Sequence, residues 1–355
     1  MNIKTALCLI WICSSLCFGC DQNQTDTLPM IEVDLKKSDE LSLSDVTKDV
    51  NLIRLETTID SYIINLTDLL HFNDKLYIKS SNQKVLVFDM DGNYIQRLGK
   101  EGDGPGEYRF VKSIMVNEQT NEIYVASTRK VLVYSPNHDL KREVLLENSW
   151  DYIGFFEGKM YSVEHKYSIP IENGFASYTS LYEINSELSI IDTLFVREVI
   201  RPNKTASAYT HNHYLSIIDN DAYFYASVFT NEKIHRDTLY QIKESSVSPH
   251  LKLDFGQLVL NEKGIKSTLI YNIIHSKSYI ICEYSHNGNK MLFLYNKKAS
   301  KGYNLKEGIL DEKGSPVILR PFDLSNDTFY FVKNSEYTSR SIEESNPIIG
   351  IVTLK

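Results

Sequence analysis

The chain has 355 residues, 42% of them hydrophobic, with 46 acidic against 38 basic side chains and a formal net charge of −8. That length carries a large core, and an acidic chain without a Lys/Arg cluster is excluded as a general nucleic-acid binder, which must neutralise phosphates. Tyrosine, at 23 residues against 2 tryptophans, favours strands over helices.

The amino terminus reads as a targeting segment. Lys4 supplies the positive end, Ala6 to Phe18 is an apolar run too short for a comfortable membrane span, and Gly19-Cys20 ends it with a small residue before a cysteine. The join resembles the lipobox of bacterial lipoproteins, which implies a signal peptide over 1–19, acylation of Cys20 and attachment to a bacterial membrane. Cys17-Phe18-Gly19-Cys20 departs from the usual pattern, since Leu16 stands one place early and Phe18 is bulky; a plain secretory signal cleaved elsewhere is the alternative. After processing at Cys20 the one remaining thiol is Cys282, so no disulfide forms within the mature chain. Within Tyr279-Ile280-Ile281-Cys282-Glu283-Tyr284 that thiol reads as a small buried hydrophobe. Residues 21–27 are polar and aperiodic, as a flexible tether should be. The tether and lead-in are assigned to 20–44 and a single folded unit to 45–355.

From Ile31 onward nearly every segment reads as strand; the best helical stretch, Glu40 to Val50, is short. Runs centred on Tyr77, Tyr124, Tyr161, Tyr223, Tyr279 and Tyr330 recur at a mean spacing of about 51 residues. Each has a more hydrophobic partner: 84–88, 131–134, 180–184, 238–242, 291–295 and 348–352. Asp91-Gly92, Asn287-Gly288 and Lys313-Gly314 supply turn chemistry. Six units of three or four strands at this period predict an all-β, six-bladed β-propeller. An open ring would leave unpaired edges, so Val50 to Leu55 is expected to pair as the outer strand beside Ile348 to Leu354 and close it.

The stretch from Gly99 to Tyr108 holds four glycines and a proline in ten residues and must be a shaped loop. Val87-Phe88-Asp89-Met90-Asp91-Gly92-Asn93-Tyr94-Ile95 precedes Gly99, Gly102, Gly104, Pro105, Gly106, Glu107 and Tyr108. This combination, with Leu52-Ile53-Arg54-Leu55-Glu56-Thr57 before it and Arg236 to Gly256 after it, resembles the six-bladed β-propeller lipoproteins of Gram-negative bacteria, related in shape to NHL-repeat and TolB-like propellers. The resemblance runs from about residue 45 to the end. It implies the propeller shape and a cell-envelope address, at the outer membrane or periplasmic side, and little chemistry.

The glycine loop lacks the Gly-Lys-Ser/Thr of a phosphate-binding loop and the helix of a dinucleotide loop, so it reads as a joint between two units, tied by Glu107 and Tyr108. Asp89-x-Asp91-Gly92-Asn93 has a calcium-like spacing but no closing glutamate; a hairpin turn is the stronger reading, and no cofactor is assigned. His211 and His213, placed on alternate residues of a strand, would share one face and form a weak metal candidate. Tyr161/His165/Tyr167 and Tyr223/Phe224/Tyr225 are candidates to stack sugar rings, although strand tyrosines usually pack. No Gly-x-Ser-x-Gly is present. The expected function is a non-enzymatic binding module, monomeric and membrane-anchored, for a glycan, a peptide or an envelope protein. The alternative is a metal-assisted hydrolase or lyase with its site in the central channel.

Overall fold

A computed structural model describes residues 28–81, 83–204, 209–229, 232–262, 264–333 and 345–355. Cys20 and the proposed signal peptide lie outside them. Among the described residues the chain forms six successive sheets of four antiparallel strands. Sheet one comprises Leu66–Phe72, Lys75–Ser80, Lys84–Asp89 and Tyr94–Leu98. Sheet two comprises Ser113–Asn117, Glu122–Ala126, Lys130–Tyr134 and Leu140–Leu145. Sheet three is longer, with Tyr152–Phe156, Lys159–Ile171, Gly174–Ile184 and Ile190–Arg201. Sheets four and five start at Leu215–Ile218 and Thr268–His275, and sheet six at Arg320–Asp323.

Every expected tyrosine run is the second strand of its sheet, and every partner run is the third. Val85, Leu86, Val87 and Phe88 are wholly buried, because a third strand has sheets packed on both its faces and does not alternate polar with apolar. The clusters that bury them join neighbouring sheets. Val87 packs with Leu132 between one and two, Tyr124 with Ile153 between two and three, and Val163 with Phe224 between three and four. Leu253, Ile281 and Phe329 share a cluster across four, five and six, while Ile349 packs with Leu76 and Leu86 between six and one.

Sheet six combines the two chain ends. Thr47–Arg54 pairs antiparallel with Ile348–Leu354, setting Val50 opposite Val352 and Arg54 opposite Ile348. The helical stretch anticipated around 40–50 is a single turn, Leu43–Val46, that leads directly into this strand.

The lead-in segment departs from a slack tether over its described part. Met30–Glu32 adds to sheet four as a parallel strand beside Lys252–Asp254. Val33, Leu41 and Leu43 then bury themselves in the largest core cluster. Asn304 of sheet five donates its side-chain amide to the carbonyls of Asp34 and Lys37, at 2.9 and 3.2 Å, and its backbone N–H to the Asp39 carboxylate at 2.9 Å. Residues 28–44 are thus a strap over the outer strands of sheets four and five.

The glycine loop is the joint between sheets one and two. Lys100–Glu101 pairs in parallel with Glu107–Tyr108. Tyr108 Oη donates to the Leu98 carbonyl at 2.6 Å and accepts the Val85 N–H at 3.1 Å. The amides a phosphate would need are already occupied: Gly104 N–H by Glu107 at 2.9 Å and Gly106 N–H by Glu143 at 2.8 Å. Gly99 has φ +67, and a Cβ there would strike Tyr134 Oη and the Tyr108 ring, so glycine is required for both conformation and space. Asp89 likewise spends its carboxylate on the amides of Asp91 and Asn93, at 3.0 and 2.8 Å, and on the Asn93 side chain. This is the self-bonded turn of an Asx motif.

Candidate functional site

The first strands of the sheets meet one another. Leu66–Phe72 touches Ser113–Asn117, which touches Tyr152–Phe156; Leu215–Ile218 touches Thr268–His275, and Arg320–Asp323 touches Leu66–Phe72. Three cavities open where these strands end, of about 510, 380 and 40 Å³. One segment, Tyr209 to Tyr214, contributes lining to all three, which makes it the centre of a continuous mouth.

This segment is a turn and loop, and that corrects the strand expected for His211 and His213. Their rings have different partners. His211 Nδ1 lies 3.2 Å from the Thr67 carbonyl of sheet one, whereas His213 Nε2 lies 3.2 Å from Ser216 Oγ of sheet four. Among the described residues no group of three or more His, Cys, Asp or Glu is placed to hold a metal ion.

Glu283 locks the segment in place. Its carboxylate accepts Tyr209 Oη–H at 2.7 Å, Arg320 at 3.1 and 3.4 Å through both terminal nitrogens, and the Asn272 side-chain amide at 3.2 Å. Asn272 also donates to the His211 carbonyl and accepts the His213 N–H, each at 2.9 Å. The side chains of Glu283 and Arg320 are only 4% and 13% exposed, so this pair works in a weakly screened setting. Burial alone would lower the Arg320 pKa, but the Glu283 carboxylate outweighs it and holds the guanidinium firmly protonated. Burial and then the same carboxylate push the Tyr209 phenol up.

On the opposite side of the mouth Asp151 accepts Lys112 Nζ at 3.0 Å and the His165 N–H at 3.1 Å, with His165 Nδ1 also at 3.1 Å. Burial opposes the charge on Asp151, but the bond to His165 and the Lys112 ammonium lower its pKa below the usual range. His165 stacks on Tyr167, interplanar angle 6°. Of the two anticipated sugar-stacking clusters, His165 and Tyr167 thus reach the mouth, whereas Tyr161, Tyr223, Phe224 and Tyr225 are core residues, each 7% exposed or less. Cys282 is buried beside Glu283, and burial drives its thiol pKa well up.

Acid should loosen the fold. Burial pushes the His213 pKa down to about 4, and burial followed by the Lys297 ammonium pushes His275 to about 3. Unfolded imidazoles titrate near 6.5, so the unfolded chain takes up protons first. The stabilising term is complete above about pH 6.5 and fades as pH falls toward the folded values, by on the order of 2–3 kcal/mol per group. Urea unfolding between pH 7 and 4.5 should show a falling free energy, with a shallower slope in His213→Asn. A flat profile would contradict this.

A family model for a domain of unknown function, DUF4934, matches residues 26–353. The chain belongs to the DUF4934 family. No curated protein matches it. Among solved structures, the crystal structure of a "Putative exported protein" from Bacteroides fragilis is similar at TM-score 0.70 and 17% identity, over 93% of this chain and 100% of that one. The WD40 repeats of RRP9 give TM-score 0.47 and 11% identity, over 90% and 100% of the two chains. The Pan2 WD40 domain of Neurospora crassa gives 0.43 and 9%, over 81% and 75%. The likeness to the Bacteroides protein shows a shared fold over most of this chain, and that fold is all-β, with sheets following one another in a propeller-like order. No helix among its described residues is long and apolar enough to cross a membrane.

Proposed function

We propose that this chain is a closed, six-bladed propeller, tethered to a bacterial cell-envelope membrane through lipid on Cys20, that binds a ligand non-enzymatically at the Tyr209–Tyr214 mouth. Ring closure is supported by the pairing of Thr47–Arg54 with Ile348–Leu354 and by the cluster joining sheets six and one. The envelope address is supported by the Gly19-Cys20 join and by the likeness to the Bacteroides "Putative exported protein". Binding rests on the cavity of about 510 Å³, within the usual range for small-molecule sites. The mouth's best-placed carboxylates are committed as struts: Glu283 to three donors and Asp151 to lysine and histidine. Such groups fix shape more readily than they exchange protons with a substrate.

The test is thermal unfolding of the full chain with saccharide and peptide panels, and separately with EDTA followed by calcium. A ligand at a hundred times its dissociation constant adds about 2.7 kcal/mol, so an upward midpoint shift with saccharide or peptide is expected. A midpoint lowered by EDTA and restored by calcium would overturn this reading in favour of a metal-dependent enzyme. Detergent-phase partitioning of the expressed protein should be lost in Cys20→Ser; unchanged partitioning would refute the anchor.

A further inference from the structure

The cavity of about 510 Å³ combines two features that together select a ligand class. One wall is aromatic. Tyr209 and Tyr271 stack at 4.7 Å and 17°, and Phe229 leans on both, at 6.5 and 5.6 Å. The Glu283 bond to Tyr209 Oη pins the first of these rings, so the wall is ordered before anything binds. The same cavity is also lined by Lys290, Glu307 and Thr210. Lys290 and Glu307 are exposed, and among the described residues neither side chain forms an ion pair.

The charges cancel. Glu283 is neutralised by Arg320, Lys290 and Glu307 are one of each sign, and burial lowers the His211 pKa so that its ring is neutral at pH 7. An anionic or cationic ligand would meet a rim without net attraction and would surrender hydration on entry. An aromatic cluster in a cavity that also presents separated polar groups instead suits a molecule with an apolar C–H face and hydroxyls at its edge.

Resting on the binding reading above, we infer that the cavity takes a neutral oligosaccharide, one sugar ring lying against Tyr271 and Phe229 with its hydroxyls bonded to Lys290, Glu307 and Thr210. Tyr271 is the face, and Lys290 with Glu307 are the readers of hydroxyl orientation. Arg320 and Glu283 take no direct part and hold the wall in place.

The experiment is calorimetric titration of the full chain with maltotriose, cellotriose, xylotriose, mannotriose and chitotriose, alongside trigalacturonate, a choline salt and an aromatic tripeptide. At least one neutral trisaccharide should bind, with affinity lowered about tenfold or more by Tyr271→Ala and kept within about threefold by Tyr271→Phe. Lys290→Ala, an exposed change that leaves the core intact, should weaken the same sugar. Raising salt from about 0.05 to about 0.5 M should alter its affinity less than about twofold, since no net charge is being screened. Binding confined to trigalacturonate or choline and lost in salt would overturn the neutral-sugar inference while leaving the binding reading intact, as would binding of the tripeptide alone with loss in Tyr271→Ala. Sugar binding indifferent to both Tyr271→Ala and Lys290→Ala would overturn the assignment to this cavity. Silence from every compound, together with unmoved thermal midpoints, would sink both.

Discussion

Glu283→Gln should cost about 3–5 kcal/mol of folding free energy, the largest effect expected from any single side chain at the mouth. Glutamine keeps the size and one acceptor oxygen but removes the charge, leaving the Arg320 guanidinium, 13% exposed, without its counter-ion. Breaking a buried pair is worse than replacing it, because the surviving ion keeps its desolvation cost. The damage is not confined to that pair: Tyr209 and Asn272 lean on the same carboxylate, and Asn272 fixes the backbone of His211 and His213. Urea titration of the full chain measures the loss, and the double variant Glu283→Gln/Arg320→Met should recover most of it. A loss below about 1 kcal/mol, the range of an exposed pair, would mean that the mouth is open to water and the strut idle.

Deleting residues 28–54 should abolish cooperative unfolding. The deletion strips the strap whose Val33, Leu41 and Leu43 enter the core shared by sheets four to six. It also removes Ile53 from the cluster between sheets six and one. The seven-residue strand Ile348–Leu354 then becomes an unpaired edge, a template for aggregation. Near-ultraviolet circular dichroism and limited proteolysis report the outcome: loss of the aromatic signal and rapid digestion are expected. A protected, monomeric fragment with a sharp transition would show that sheet six is complete without the amino-terminal strand.

What the sequence made legible follows from where side chains are sandwiched. Second and third strands lie between neighbouring sheets, so they carry dense apolar runs such as Val85 to Phe88 and Met291 to Tyr295, and all six pairs could be read. Two of the first strands escaped because they mix polar with apolar residues, Leu66-Thr67-Asp68-Leu69-Leu70 and Arg320-Pro321-Phe322-Asp323. The site sits largely on those unread strands and on the loop between sheets three and four. His211 and His213 drew attention through their spacing, which carries meaning only if the segment is extended; Asn272 and Glu283 hold it in a turn instead. Glu283 lay within a correctly read strand, but its neighbour Cys282 carried the more familiar chemistry. A single glutamate inside the apolar run Tyr279 to Tyr284 was the available signal, since a carboxylate there needs a buried partner. That partner, Arg320, is 37 residues away, and only the sheet packing brings them together.

The mouth exists as one surface only if the last sheet is built from both chain ends, and a disulfide tests this directly. Arg54 and Ile348 face each other across the pair, and directly opposed antiparallel residues have Cα atoms about 4.5–5.5 Å apart, within disulfide reach. The measurement is made on Arg54→Cys/Ile348→Cys in a chain whose four amino-terminal cysteines are serine, leaving only buried Cys282 besides. Mild oxidation should form the intramolecular bond quantitatively, shown by a reductant-reversible gel shift. The thermal midpoint should rise, since closing a loop longer than about 100 residues restricts the unfolded chain by more than about 4 kcal/mol in the entropy model. Two free thiols after oxidation, or crosslinks only between molecules, would contradict the closed ring and with it the mouth.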